Sequence, residues 1–203
     1  MFDKKELIKK FLFDENLPKE EKRLRFEIAW DIWENFNAIK QEISLGNIFK
    51  PLKDRIIELI NDSPYEITKF DWGSIYVAKP EWKEKEDDRG IYALCIEKWD
   101  RNWPTVGIVK NNSFKTDVEK EIEDLLKEFR KTQWFLIYIP IQDWEYGDPK
   151  TYFLEAILNP SSIVNFLFDY FEKLYKIVRK TEGLEELLDR SVKERKAQLQ
   201  ISA

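Results

Sequence analysis

The chain has 203 residues, enough to bury a substantial core in one domain or one and a half. It is 43% apolar and 36% charged with a net charge of −5, which excludes a surface that grips nucleic acid all over and leaves room only for a local basic strip. With no histidine and one cysteine, Ser-His-Asp and Cys-His pairs, histidine metal ligands and Cys/His zinc sites are excluded as well.

Cys95 lies in an apolar run and reads as a buried, inert thiol, so no disulfide is expected. The many lysines and glutamates lean toward a heat-adapted source, where ion-pair networks cost less to desolvate. No apolar run reaches membrane-spanning length, and the start, MFDKKELIKKFLF, lacks the apolar core and cleavage site of a signal peptide. A cytoplasmic protein with no membrane partner follows by elimination. Neither GxxxxGK[ST] nor GxGxxG occurs, and no cofactor is expected.

Taken in order, Leu7, Ile8, Phe11 and Leu12 predict a helix over 3–14, closed by Asn16-Leu17-Pro18. Steps of three and four from Leu24 through Ile28, Ile32, Phe36 and Ile39 to Ile43, joined by Trp30 and Trp33, predict one long helix over 19–45 with a wide apolar stripe. Gly46-Asn47 reads as a break before a third helix over 48–61, closed by Ser63-Pro64. The pattern then changes. Residues 66–70 and 74–79 read as strands around Trp72-Gly73, 83–90 as a charged turn, and IYALCIE at 91–97 as a central strand buried on both faces. A turn at 98–104 and a strand at 105–110 complete an antiparallel meander.

Thr116 and Glu119 have capping-box spacing and open a helix that ends near Lys131. WFLIYI at 134–139 reads as a buried strand, and TYFLEAIL at 151–158 as a further strand, with a short helix as the alternative. Asn159-Pro160 starts a helix that runs to Gly183, and a last helix covers 184–199. The expected fold is α+β: an antiparallel sheet of about five strands flanked by N-terminal and C-terminal helices. The expected organisation is a helical segment, 1–63, packed on an α+β domain, 64–203, with a single domain as the alternative.

Three patterns bear on chemistry. Asp71 followed by Glu81-Trp82-Lys83 fits the D…ExK spacing of metal-dependent nucleases, in which two carboxylates hold the metal and the lysine orients water. Glu20/Lys22 and Glu194/Lys196 show the same ExK spacing in a chain rich in both residues, and Pro80 with the hydrophilic run after Lys83 favours a surface turn. The aromatics Trp72, Tyr76, Trp82, Tyr92, Trp134, Trp144 and Tyr146 crowd the sheet region, among Lys79, Lys83, Lys98 and Lys110. They either fill the layer between sheet and helices or stack bases on a sheet face. Trp99, Arg101 and Trp103, in a polar turn, are the candidate contact residues. The basic residues Lys19, Lys22, Arg23 and Arg25, and Lys193, Arg195 and Lys196 in the tail, are interrupted by glutamates and read as solvated helix faces.

The run WGSIYVAKPEWK at 72–83, the strand at 91–96, Val106-Gly107-Ile108 and Trp134-Phe-Leu-Ile-Tyr with Asp143-Trp144 resemble the aromatic-rich C-terminal module of PD-(D/E)XK superfamily nuclease proteins of prokaryotes and phages. The likeness spans roughly residues 20–180. It implies an α+β accessory module whose catalytic core would lie upstream, so no catalytic residue is carried onto this chain. The resulting expectation is a non-catalytic binding or regulatory module, associated with a nuclease or phage-defence system and engaging a protein or nucleic acid. The alternatives are a small metal-dependent nuclease using Asp71, Glu81 and Lys83, or a structural homo-oligomer built on exposed tryptophans and the C-terminal helices.

Overall fold

A computed structural model describes residues 3–83, 91–98, 104–110, 117–141 and 144–201. The chain divides into two compact units, Met1–Glu42 and Ile43–Ala203. The boundary expected at 63/64 falls inside the second unit.

In the first unit, α1 (Lys4–Phe13) is joined by a short turn to α2 (Lys19–Ile43). Glu20 and Glu21 in the first turn of α2 suit the positive end of its dipole. The exposed i,i+4 pair Arg23–Glu27 at 2.8 Å lines its polar side, and the part-buried pair Arg25–Glu21 at 2.6 Å lies beside α1. The corner is tied by polar contacts. Arg25 donates to the Phe11 carbonyl at 3.0 Å and lies 5.0 Å from the Phe11 ring centroid, and Lys22 reaches the Glu15 carbonyl at 3.3 Å. No residue of α2 is buried.

The second unit opens with a π-helical segment, Ser44–Phe49, leading into α3 (Lys50–Ile60). The expected break at Gly46-Asn47 is absent. The widened turn carries the Lys50 N–H to the Leu45 carbonyl, five residues back. It comes just before Pro51, which has no N–H to give and cannot sit against the preceding turn of a regular helix. The segment also points inward: Ser44 hydrogen-bonds the Trp72 carbonyl at 3.1 Å and the Tyr152 hydroxyl at 2.9 Å, and Asn47 donates to the Ala156 carbonyl at 2.8 Å. Burial pushes the Tyr152 hydroxyl up to about 12, while the Ser44 bond pulls it the other way.

The sheet is the expected antiparallel meander, in the order β1 (Glu66–Phe70), β2 (Ser74–Ala78), β3 (Tyr92–Lys98), β4 (Pro104–Lys110), β5 (Phe135–Ile139). Leu94 of β3 pairs with Val77 and Ile108, and Cys95 with Tyr76 and Gly107. All of these side chains are buried, so β3 is covered on both faces as its apolar run predicts. At Gly107 a Cβ would meet the Ile137 carbonyl oxygen at 2.4 Å and the Phe135 ring at 2.8 Å, so the β4–β5 register requires glycine there.

Helices α4 (Asp117–Leu125), α5 (Pro149–Leu158), α6 (Pro160–Lys180) and α7 (Leu184–Ile201) complete the unit. Ile163, Leu167, Phe171, Leu174 and Val178 of α6 are buried at helical spacing, and α6 packs on β3 and β4. Residues 151–158, read as a strand, form α5 instead. Asp148 caps it by accepting from the Thr151 N–H at 3.0 Å, Pro149 takes the first position, and Tyr152 and Ala156 bury one face. Thr116, the expected cap of α4, lies outside the described residues.

Candidate functional site

The D…ExK residues do not converge. Asp71 sits in the β1–β2 turn, where its carboxylate accepts from the Gly73 N–H at 2.8 Å and the Ser74 hydroxyl at 2.9 Å. Glu81 and Lys83 follow the far end of β2. Five strand residues, about 17 Å of chain, separate the two places. Lys83 pairs with Glu66 at 2.6 Å, and the Glu81 carbonyl accepts from Lys196. Among the described residues no group of three or more Cys, Asp or Glu is placed to hold a metal ion. Trp99, Arg101 and Trp103 lie outside the described residues.

The sheet aromatics are mostly interior. Trp82 is 0% exposed and Tyr76, Tyr92 and Trp144 are buried, while Trp72 and Trp134 are open to solvent, all among the described residues. Trp82 anchors a polar lock between the end of β2 and α7. Its indole N–H donates to Asp189 at 2.6 Å, beside Lys79, which contacts Asp189 at 2.7 Å and Glu185 at 3.2 Å. Tyr65 donates to Glu185 at 3.0 Å and meets the Trp82 ring edge-on at 5.7 Å. Burial alone would lower the Lys79 pKa, but the hydrogen bonds from Asp189 and Glu185 outweigh it and hold it above the usual lysine value. Burial, then Glu185, pushes the Tyr65 hydroxyl far above the phenol range. Every member has a partner within the lock, and all of it faces α7, so its chemistry is structural.

An open groove of about 480 Å³ lies beside the end of β5, floored by Phe129, Tyr138 and Ile177 and rimmed by Arg130, Lys173 and Lys176. Lys176 is paired with Glu172 at 2.7 Å and Lys173 lies 4.8 Å over the Tyr170 ring. Two of the three cations therefore already have partners away from the groove.

The first unit has a different character. On α2, Leu24, Ile28, Ile32, Phe36 and Ile39 form one exposed apolar row, and Phe26, Trp30 and Trp33 form a second. At about 100° per residue the two rows flank a strip that carries Lys22, Ala29 and Lys40, and with it they span about 240° of the helix circumference. Trp33 is 71% exposed, and Trp30 stacks between Phe26 at 6.1 Å and Trp33 at 5.3 Å. Leu7, Ile8, Phe11 and Phe13 of α1 are exposed too. A typical monomer's largest apolar patch is about 300–600 Å², and twelve half-exposed side chains of this size leave on the order of 1,000 Å². The wide stripe was legible in the sequence; Phe26 belongs to it and was missed, though its four-residue spacing to Trp30 was a usable signal, and Phe13 of α1 was missed as well. Nothing in the sequence signalled the Lys79–Asp189 contact, which joins residues 110 positions apart.

No family model, curated protein or solved structure matches the chain. The exposed apolar face of α1 and α2 is the feature that a monomer's own packing leaves unexplained.

Proposed function

We propose that the protein is a non-catalytic binding module. The Ile43–Ala203 unit is its folded scaffold, and the apolar face of the Met1–Glu42 unit engages a macromolecular partner. The observation that carries this reading is that α2, a helix of 25 residues, buries none of them while exposing eight large apolar side chains. Such a helix is marginal in water and draws its stability from packing. An apolar face selects a protein partner over nucleic acid, whose recognition needs cations and stacking platforms on one surface. The dispersed D…ExK residues and the burial of the sheet aromatics favour the same reading over a nuclease, and the resemblance to a nuclease accessory module supports a partner in that setting.

The test uses the full chain at nanomolar concentration. An apolar fluorescent probe is expected to bind, and Trp30→Ser with Trp33→Ser to remove most of the signal. A dilute chain that is monomeric and binds no probe would sink the proposal. Metal-dependent DNA cleavage abolished by Glu81→Ala would replace it with the nuclease.

A further inference from the structure

We infer that the occupant of the α1–α2 face is a second copy of the same chain, paired antiparallel through α2. This deepens the binding reading above and rests on it.

Three observations converge. The first is area: on the order of 1,000 Å² of apolar surface per chain exceeds the roughly 800 Å² per partner of a standard stable interface. The second is breadth. Two apolar rows spread over about 240° are wider than one partner helix can cover, whereas a narrow stripe suits a single neighbour. Two α1–α2 pairs related by a two-fold axis give each α2 more than one apolar neighbour, as in a helical bundle. The third is charge. α1 carries Lys4, Lys5, Lys9 and Lys10 against Glu6 alone, and the second half of α2 carries Asp31, Glu34 and Glu42 against Lys40 alone. The Arg25–Phe11 and Lys22–Glu15 contacts hold the C-terminal end of α1 and the turn after it beside the first half of α2. An antiparallel two-fold pairing then brings each copy's lysine-rich α1 toward the other's acidic half of α2. A parallel pairing would set lysines against lysines. A closed two-fold contact of this kind is self-complementary and stops at two copies.

The experiment is sedimentation equilibrium of the full chain from nanomolar to high micromolar concentration, with the apolar probe present in a parallel series. The expected result is a mass rising from one chain to two, with the probe displaced over the same range. Ile32→Glu and, independently, Trp33→Glu are expected to raise the dimer dissociation constant at least about thirtyfold. Both side chains are solvent-exposed in the single chain, so the cooperative thermal unfolding of the Ile43–Ala203 unit, followed by far-ultraviolet circular dichroism, should be unchanged. Leu154→Glu, on the exposed face of α5, should leave the mass at two chains. Raising salt should weaken the dimer, because the pairing of α1 with α2 is screened.

A wild-type chain that binds the probe when dilute yet keeps the mass of one chain at every concentration overturns self-association and leaves the binding reading standing. A monomer that binds no probe overturns both. A dimer abolished by Leu154→Glu and untouched by Ile32→Glu overturns the inference in favour of α5. Monomers that float with phosphatidylcholine–phosphatidylserine vesicles, and lose this with Trp33→Glu, overturn it in favour of a lipid surface.

Discussion

The two units of this chain use tryptophan in opposite ways. In the Ile43–Ala203 unit, Trp82 is fully enclosed, its ring packed against Tyr65 and Tyr92 and its N–H held by Asp189. In the Met1–Glu42 unit, Trp30 and Trp33 touch each other, Trp30 also stacks on Phe26, and both rings stay largely open to solvent. The first arrangement stabilises a fold. The second leaves large apolar rings in water, at a free-energy cost that burial would recover. The difference teaches that residue type alone does not assign a tryptophan its role; what surrounds it does.

Substitutions on the two sides of this contrast should behave differently. The largest effect is expected from Trp82→Ala, about 3–5 kcal/mol of lost stability, since it empties a fully buried site and removes one of the donors to Asp189. Chemical denaturation measures it, and a loss below 1 kcal/mol would place Trp82 outside the structural core. Next is Lys79→Ala, which leaves Asp189 and Glu185 without their buried cation. About 3 kcal/mol is expected, toward the low end for a broken buried pair because Asp189 keeps 30% of its side chain in solvent. Lys79→Met should cost no less, as the two carboxylates remain.

A smaller effect concerns Glu97 on β3. Burial holds its carboxyl above the usual glutamate range; Lys69 pulls it down and Asp71 pushes it up again. The folded chain therefore keeps this proton longer than the unfolded chain as pH rises. The stability from Glu97 is fully present below the ordinary glutamate pKa and is lost as pH climbs through the raised folded value. Glu97→Gln should flatten the fall in unfolding free energy across that window, and an unchanged slope would remove Glu97 from the account. The smallest effect is expected from Trp33→Ser. In chains diluted below assembly it should shift unfolding by no more than about 0.5 kcal/mol, as for a surface site. A loss like that of Trp82→Ala would erase the contrast between the units.

Much of the scaffold was legible in the sequence because its strands are short, β-rich and bounded by turn residues. The run IYALCIE announced a central strand, and the steps along Ile163, Leu167 and Phe171 announced α6. TYFLEAIL was misread because α5 is apolar on both sides: Tyr152 and Ala156 face the core while Leu154, Ile157 and Leu158 face solvent. A short apolar run has no period to separate helix from strand, and the decisive signal was the Asp148-Pro149 start. Gly46-Asn47 looked like a stop because glycine and asparagine usually are; a π-helical segment preserved the helical path through them. For the candidate site, the apolar arc of α2 could be read from spacing alone. That these side chains stay exposed in the folded Met1–Glu42 unit could not, since burial is a property of the folded structure.

Gly107 has a consequence for how this sequence can change. The space its side chain would fill is taken first by the Ile137 carbonyl oxygen and then by the Phe135 ring, so the cost of a side chain at 107 depends in part on the residue at 135. Alanine at 107 should be poorly tolerated alone and partly rescued by a smaller residue at 135, such as Phe135→Leu. The ring clash is then relieved while the backbone contact at Ile137 remains. Thermal unfolding of the two single variants and the double variant would show this as a non-additive pair. A side chain at 107 would need both a smaller residue at 135 and a shift of the Ile137 backbone, so the β4–β5 register itself keeps glycine at this position.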